Sequence, residues 1–374
     1  MSMRALSCCA LTLLLPMMAS AQRYLVFFGT GDKAIYVSRF DAATGALEEP
    51  KIAAEVARPN FLEIHPSGKT LYVCSRADGG GAPEGVVIAY RIDRASGNLT
   101  ELNSQPTGAP GPAHVNVSHD GKTAAAANYT GGSTASFRIG SDGRLVARTS
   151  FIQHEGLSVD PRRQSEPHSH SVNFSPDDRF LISADLGLDK LLIYEVDPAT
   201  SALLPHDPPF AKVAPGSGPR HFTFHPSGQF AYVVNEMAST VTAFDWDARR
   251  GALQEIQTIS TIPEGYSEPT TLSEVQVHPN GRFLYAANRG HDSIAVFSID
   301  ASTGKLTPIE RESVQGKVPR NFRLDPDGRW LFSANQGSGA VVVLKVDPST
   351  GELSPTGKSV AMPSPMCVRF LRVD

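Results

Sequence analysis

Gly218-Pro219-Arg220-His221-Phe222-Thr223-Phe224-His225-Pro226-Ser227-Gly228-Gln229-Phe230-Ala231-Tyr232-Val233-Val234-Asn235-Glu236 reads as strand, tight turn, strand. Phe222 and Phe224 alternate with polar neighbours, Pro226-Ser227-Gly228 makes the turn, and Phe230 to Val234 is a second β-rich run. The turn recurs as His65-Pro66-Ser67-Gly68, Ser118-His119-Asp120-Gly121, Ser175-Pro176-Asp177-Asp178, His278-Pro279-Asn280-Gly281 and Asp325-Pro326-Asp327-Gly328. A second element, a strand followed by Asp-x-x-x-Gly-x-Leu or a near variant, ends at Leu47, Leu99, Leu145, Leu203, Leu253, Leu306 and Leu353. These seven copies are 46 to 58 residues apart. A period of that size with four short strands per unit predicts an all-β fold, a β-propeller.

The fifth unit sets the pattern. Glu274 to Val277 reads as strand A, Arg282 to Ala287 as B, Ser293 to Ser298 as C and Leu306 to Glu310 as D. The chain opens on strands B, C and D (Tyr24 to Phe28, Ala34 to Phe40, Leu47 onward) and ends on a lone A-like strand, Cys367 to Val373. The C-terminus is therefore expected to complete the blade the N-terminus began, giving seven blades and hiding both edges. Residues 1–21 stand apart as a signal peptide. Arg4 is followed by a largely apolar run from Ala10 to Met18 and by Ala19-Ser20-Ala21, an A-x-A site with cleavage before Gln22. Export to the periplasm or medium is expected, with residues 22–374 as one propeller and no membrane attachment after cleavage.

Across 374 residues, 41% hydrophobic content supports a proper core. A formal net charge of −4 gives no basic excess, so nucleic acid is not an expected partner, and an anionic small molecule would need a local positive patch. Cys74 and Cys367 are too few for a disulfide framework and lack metal-site spacing, so two buried free thiols are expected. The Gly-rich Asp78 to Gly85 lacks a following Gly-Lys-Ser and reads as a hairpin loop, and no cofactor is expected. An insert from about Gln153 to Pro167 precedes one strand A.

In a propeller, strand A starts and strand B ends on one face beside the central channel. The residues opening strand A are Asn60, Ala113, His170, Arg220, Ser273 and Arg320, and those following strand B are Arg76, Tyr129, Leu186, Glu236, Arg289 and Gln336. One position earlier stand Ser75, Asn128, Asp185, Asn235, Asn288 and Asn335. The repeated Asn suits a structural role at the strand end. The neighbouring positions do not repeat, and they collect an acid, a His and several Arg around one funnel. Arg220 paired with Glu236 as a surface salt bridge is one reading; an anion site built from planar guanidinium forks is the better one. His168 and His170, at i and i+2, would face one side of a strand, and Asp185 or Glu236 could add to a metal pair, but no third His or Cys at suitable spacing supports one, and no metal is expected.

At His170-Ser171-Val172-Asn173-Phe174-Ser175-Pro176, Gly218-Pro219-Arg220-His221, Val234-Asn235-Glu236, Asn288-Arg289 and Pro319-Arg320, the chain resembles the seven-bladed propeller lactonases. That family includes the propeller-type 6-phosphogluconolactonase and carboxy-cis,cis-muconate cyclase. The resemblance covers nearly the whole mature chain. It implies hydrolysis of a sugar-acid lactone, with Glu236, His170, Arg220 and Arg289 as the catalytic set. Arg320, His168, Asp185, Asn235, Gln336 and Gln164 are expected to bind substrate, and the insert with Arg162, Arg163, Gln164 and His168 can reshape the pocket. Either Glu236 or His170 would be the base. A muconate-type cycloisomerase and a non-catalytic exported propeller that binds a small anion or a protein are the alternative readings.

Overall fold

The computed structural model describes residues 23–76 and 84–373. The expected leader and most of the Gly-rich Asp78 to Gly85 loop lie outside the described residues. Every regular element described is a β-strand, arranged in seven antiparallel sheets that form a seven-bladed propeller. In chain order, blades 1, 2, 3 and 6 span residues 61–106, 112–153, 169–212 and 319–361; blade 4 is Pro219–Phe224, Phe230–Asn235, Thr240–Asp247 and Ala252–Ser260 in the order A to D, and blade 5 is Thr271–Val277, Phe283–Arg289, Ser293–Ile299 and Leu306–Ser313. The seventh blade is the seam. Its strand A, Pro365–Arg372, pairs with Arg23–Thr30 in a register that runs from Tyr24↔Arg372 to Thr30↔Pro365. Its outer strand is split into Ala46–Leu47 and Lys51–Glu55, with Pro50, which has no N–H to give a ladder, between them.

Apolar faces of neighbouring blades pack on each other. Tyr232, Val234 and Phe230 of blade 4, for example, meet Leu272, Val275 and Leu284 of blade 5. Two polar ties recur together at three of the junctions between neighbouring blades, 1 to 2, 4 to 5 and 5 to 6. A Tyr in strand B donates to a carbonyl in the next blade's C–D hairpin: Tyr72 to Gly143 at 2.9 Å, Tyr232 to Gly304 at 2.9 Å and Tyr285 to Gly351 at 2.8 Å. The turn histidines, on the face away from the funnel, bond the next blade's turn: His65 to the Gly121 carbonyl, His225 to that of Gly281 and His278 to that of Gly328. The C–D hairpin needs a left-handed residue. Gly251, Gly304 and Gly351 supply it, and in blade 3 Ser201 takes the same conformation at φ 63°. Cys74 and Cys367 are free and fully buried.

The strand A ladders are interrupted where the chain enters the funnel. Register shifts fall between Ser169 and Ser171, Pro219 and Phe222, Leu272 and Val275, and Pro319 and Asn321. Such a bulge adds an unpaired residue and re-aims it. The residues so placed are His170, Arg220 with His221, Ser273 with Glu274, and Arg320.

Below that bulge ring a polar belt crosses the channel from blade to blade. Phe61 lies 4.1 Å from His114 and His114 lies 5.2 Å from His221, centroid to centroid. His221 Nδ1 is 3.1 Å from Glu274, which also accepts from Asn321 Nδ2. Asn321 Oδ1 accepts from Val368 N, and Cys367 Sγ accepts from Leu62 N, which returns the belt to blade 1.

Candidate active site

The funnel mouth holds a pocket of about 300 Å³, lined among others by Asn60, Tyr129, Arg163, His170, Glu236, Arg289, Arg320 and Met366. Glu236 follows strand B of blade 4, and its backbone is fixed on both sides. Its N–H donates to Gly218 O at 2.7 Å, and its carbonyl accepts from Leu272 N at 3.1 Å. Gly218 is itself held by Asp189, which accepts from Gly218 N and Gly216 N at 2.7 Å each. Gly218 has φ 64°, and a Cβ there would meet Met237 Sδ at 2.8 Å, so both conformation and space call for glycine.

Three guanidiniums converge on this carboxylate. Oε2 lies 3.0 Å from Arg220 Nε and 3.0 Å from Arg289 Nη2, and Oε1 lies 2.7 Å from Arg163 Nη2. Burial alone would raise the Glu236 pKa, but Arg289, Arg220 and the Arg163 hydrogen bond outweigh it and hold the group down to about 2. Arg220 is 2% exposed and also donates to Ser273 O, so it stands behind Glu236 rather than in the pocket lining. Burial and the nearby Arg289 and Arg320 bear against its charge, while Glu236 and Glu274 support it. A guanidinium starts so far above neutral pH that it stays protonated.

Arg320 is different. It reaches the pocket from its bulge without a hydrogen bond or ion pair among the described residues, leaving one cation for a ligand anion. His170 is 5% exposed, with Nδ1 unpartnered, and its ring lies 5.3 Å from that of His221. Burial, then Arg220, His221 and Arg320, push its pKa well below the usual imidazole value, so it is neutral at pH 7.

Glu236, His170, Arg289 and Arg320 are thus brought to one pocket, with Arg220 directly behind. Five other expected ligands, Asp185, Asn235, Gln164, Gln336 and His168, are not in its lining. Asp185 is fully buried; it accepts from His154 Nδ1 at 2.6 Å and from the backbone of His168, Gly187 and Leu188. Asn235 is fully buried and donates to Thr240 and Thr242 hydroxyls at 2.9 Å each. Gln164 is fully buried, donating to Leu186 O and accepting from Asp160 N. Gln336 donates to Ser364 Oγ at 3.1 Å. These side chains are engaged within the fold and none lines the pocket; Asn235 Oδ1 is buried with no hydrogen-bond partner among the described residues. His168 is also used locally: its ring stacks on Tyr129 at 4.6 Å and Nδ1 meets Tyr129 O. The bulge at Ser169 and Ser171 interrupts the alternation that would aim His168 and His170 alike, and no metal-holding group of three His, Cys, Asp or Glu is present among the described residues.

Tyr129 and Arg163 are among the lining residues outside the expected catalytic and substrate-binding set. Tyr129 occupies the position after strand B, and its hydroxyl accepts from Arg163 Nη2 at 3.2 Å. Arg163 comes from the insert, which no repeat register reaches. Asp160 caps that segment by accepting from Arg162 N and Arg163 N.

The family model for the seven-bladed β-propeller lactonases matches residues 25–370. The chain belongs to that family. This lactonase is 37% identical over 354 residues to the 6-phosphogluconolactonase of Bacillus subtilis, covering 93% of this chain and 99% of the relative. It is 34% identical over 301 residues to the 6-phosphogluconolactonase of Formosa agariphila, covering 79% and 83%. Among solved structures, the periplasmic gluconolactonase of Pseudomonas aeruginosa superposes with a TM-score of 0.89 at 35% identity, covering 94% of this lactonase and all of the neighbour.

Proposed function

We propose that this lactonase opens a sugar-acid lactone, gluconolactone or its 6-phosphate, to the free acid in the Glu236 pocket. The observation that carries the reading is one buried carboxylate bound by three guanidiniums, beside an unpaired fourth and a neutral imidazole. Water attacks the lactone carbonyl carbon as its proton passes to Glu236. Arg289, which lines the pocket, offsets the charge that forms on the carbonyl oxygen. The ring C–O bond then breaks, the leaving alkoxide takes the proton back, and the new acid ionises with release of one proton. A lactone is an activated ester, so a weakly basic carboxylate suffices at this step. Arg220 positions Glu236, His170 forms a neutral polar wall, and Arg320 holds the substrate's anionic group.

The Arg4 to Ala21 pattern supports export, and the P. aeruginosa relative is a periplasmic enzyme. No helix among the described residues is long and apolar enough to cross a membrane. The test is proton release on gluconolactone and 6-phosphogluconolactone, with Glu236→Gln as background. Turnover of neither lactone above that background would remove the reading. Proton transfer to carbon on a muconolactone would then favour the cycloisomerase, and tight binding of gluconate without turnover a binding protein.

A further inference from the structure

The three arginines on Glu236 are not equally fixed. Arg220 is 2% exposed and Arg289 13% exposed, and each sits on a blade strand with a second bond to a backbone carbonyl, Ser273 O and Leu272 O respectively. Arg163 is 38% exposed, and among the described residues its guanidinium has one other partner, the Tyr129 hydroxyl. The insert backbone beneath it is held firmly by Asp160 and by buried Gln164. The anchor is rigid while the guanidinium lies at the pocket opening, so side-chain rotation alone can carry it off Glu236.

We infer that Arg163 is exchanged between Glu236 and the substrate: a phosphate or carboxylate on the incoming lactone draws its guanidinium away, and the carboxylate so released is the working base. The inference rests on Glu236 being that base. The exchange strengthens a base that three guanidiniums otherwise keep weak. The charged and titratable groups facing Glu236 are Arg163 from the insert, Arg220 and His221 from blade 4, Arg289 from blade 5, Arg320 from blade 6, His170 from blade 3 and Tyr129 from blade 2. Of these, Arg163 combines a direct bond to the carboxylate with substantial exposure. Losing it leaves Arg220 and Arg289 in place but raises the basicity of Glu236. An uncharged lactone would leave the Arg163 bond intact and turn over slowly.

The experiment compares wild type and Arg163→Gln on gluconolactone and 6-phosphogluconolactone at pH 6, with and without inorganic phosphate. In wild type, phosphate should raise kcat on the uncharged lactone. Arg163→Gln should have a higher kcat on that lactone, no response to phosphate, and a KM for the phosphorylated lactone about tenfold higher, as loss of one charged hydrogen bond implies. The acid limb of its kcat/KM profile should also move up by about one pH unit. Equal slowing on both lactones, or no phosphate effect in wild type, overturns the inference. Glu236→Gln keeps the two levels apart: if it retains full activity the base assignment fails, and if it is inactive while Arg163→Gln behaves as wild type, only the exchange fails.

Discussion

Replacing Glu236 by Gln should cost stability as well as activity. Arg220 is 2% exposed, and its balancing charge is Glu236, 8% exposed, at 3.0 Å. Removing one member of a buried pair leaves the other charge uncompensated, at a cost of about 3–5 kcal/mol. Gln keeps an acceptor oxygen for the guanidiniums, which puts the expected loss near the lower end, about 3 kcal/mol. With an unfolding entropy of roughly 2 cal/mol/K per residue, a chain of this length would lose about 4 °C in Tm. The assay is a thermal melt of wild type, Glu236→Gln, Arg220→Met and the double variant. The double variant should recover part of the loss, because it removes both charges rather than stranding one. The variant pocket is also richer in positive charge, so a fixed concentration of gluconate should raise the Glu236→Gln Tm more than the wild-type Tm. A Glu236→Gln protein melting within 1 °C (about 0.7 kcal/mol on the same scale) of wild type would refute the view that Arg220 depends on this carboxylate.

His114, His170 and His221 are all held well below the usual imidazole pKa, chiefly by burial. The unfolded chain therefore binds these protons first, and their contribution, complete above pH 6.5, falls as pH drops. At pH 5.5 the three together should cost on the order of 4 kcal/mol. Glu274 works the other way, since burial raises its pKa and the folded state takes up its proton earlier. A urea midpoint that stays level between pH 7.5 and 5.5 would contradict this. Arg320→Gln should raise KM for a phosphorylated lactone by about tenfold or more and change kcat less, read from initial rates of proton release. Tyr285→Phe removes the tie to Gly351 and should destabilise by about 1 kcal/mol, measured by urea denaturation with activity retained.

The convergence of His170, Glu236, Arg289 and Arg320 was legible because position in a repeat is position around an axis. Once the turns were aligned, residues at equivalent offsets had to meet in one funnel. One residue earlier the repeated Asn already suited a structural role, although Asp185 and Asn235 were also expected to bind substrate. Strand alternation turns those side chains into the blades, where they bond hydroxyls, backbone and His154. Arg220 was located correctly in the repeat, but its depth behind Glu236 depends on a bulge that no residue pattern announces. Arg163 lay beyond this reasoning, because the insert has no counterpart in the other blades and its path is set by Asp160 and Gln164. The two cysteines followed the plainer expectation.

The seam also fixes an order of events in the life of the chain. Tyr24 pairs with Arg372, so the ring's last contacts join the first strand described to the final one. A nascent chain can fold neighbouring blades locally, but it cannot close the circle until Pro365–Arg372 is free to pair. Until then the edge of Arg23–Thr30 lacks its partner strand. A chain cut short before Pro365 would therefore carry an open strand edge that favours aggregation over persistence as a smaller propeller.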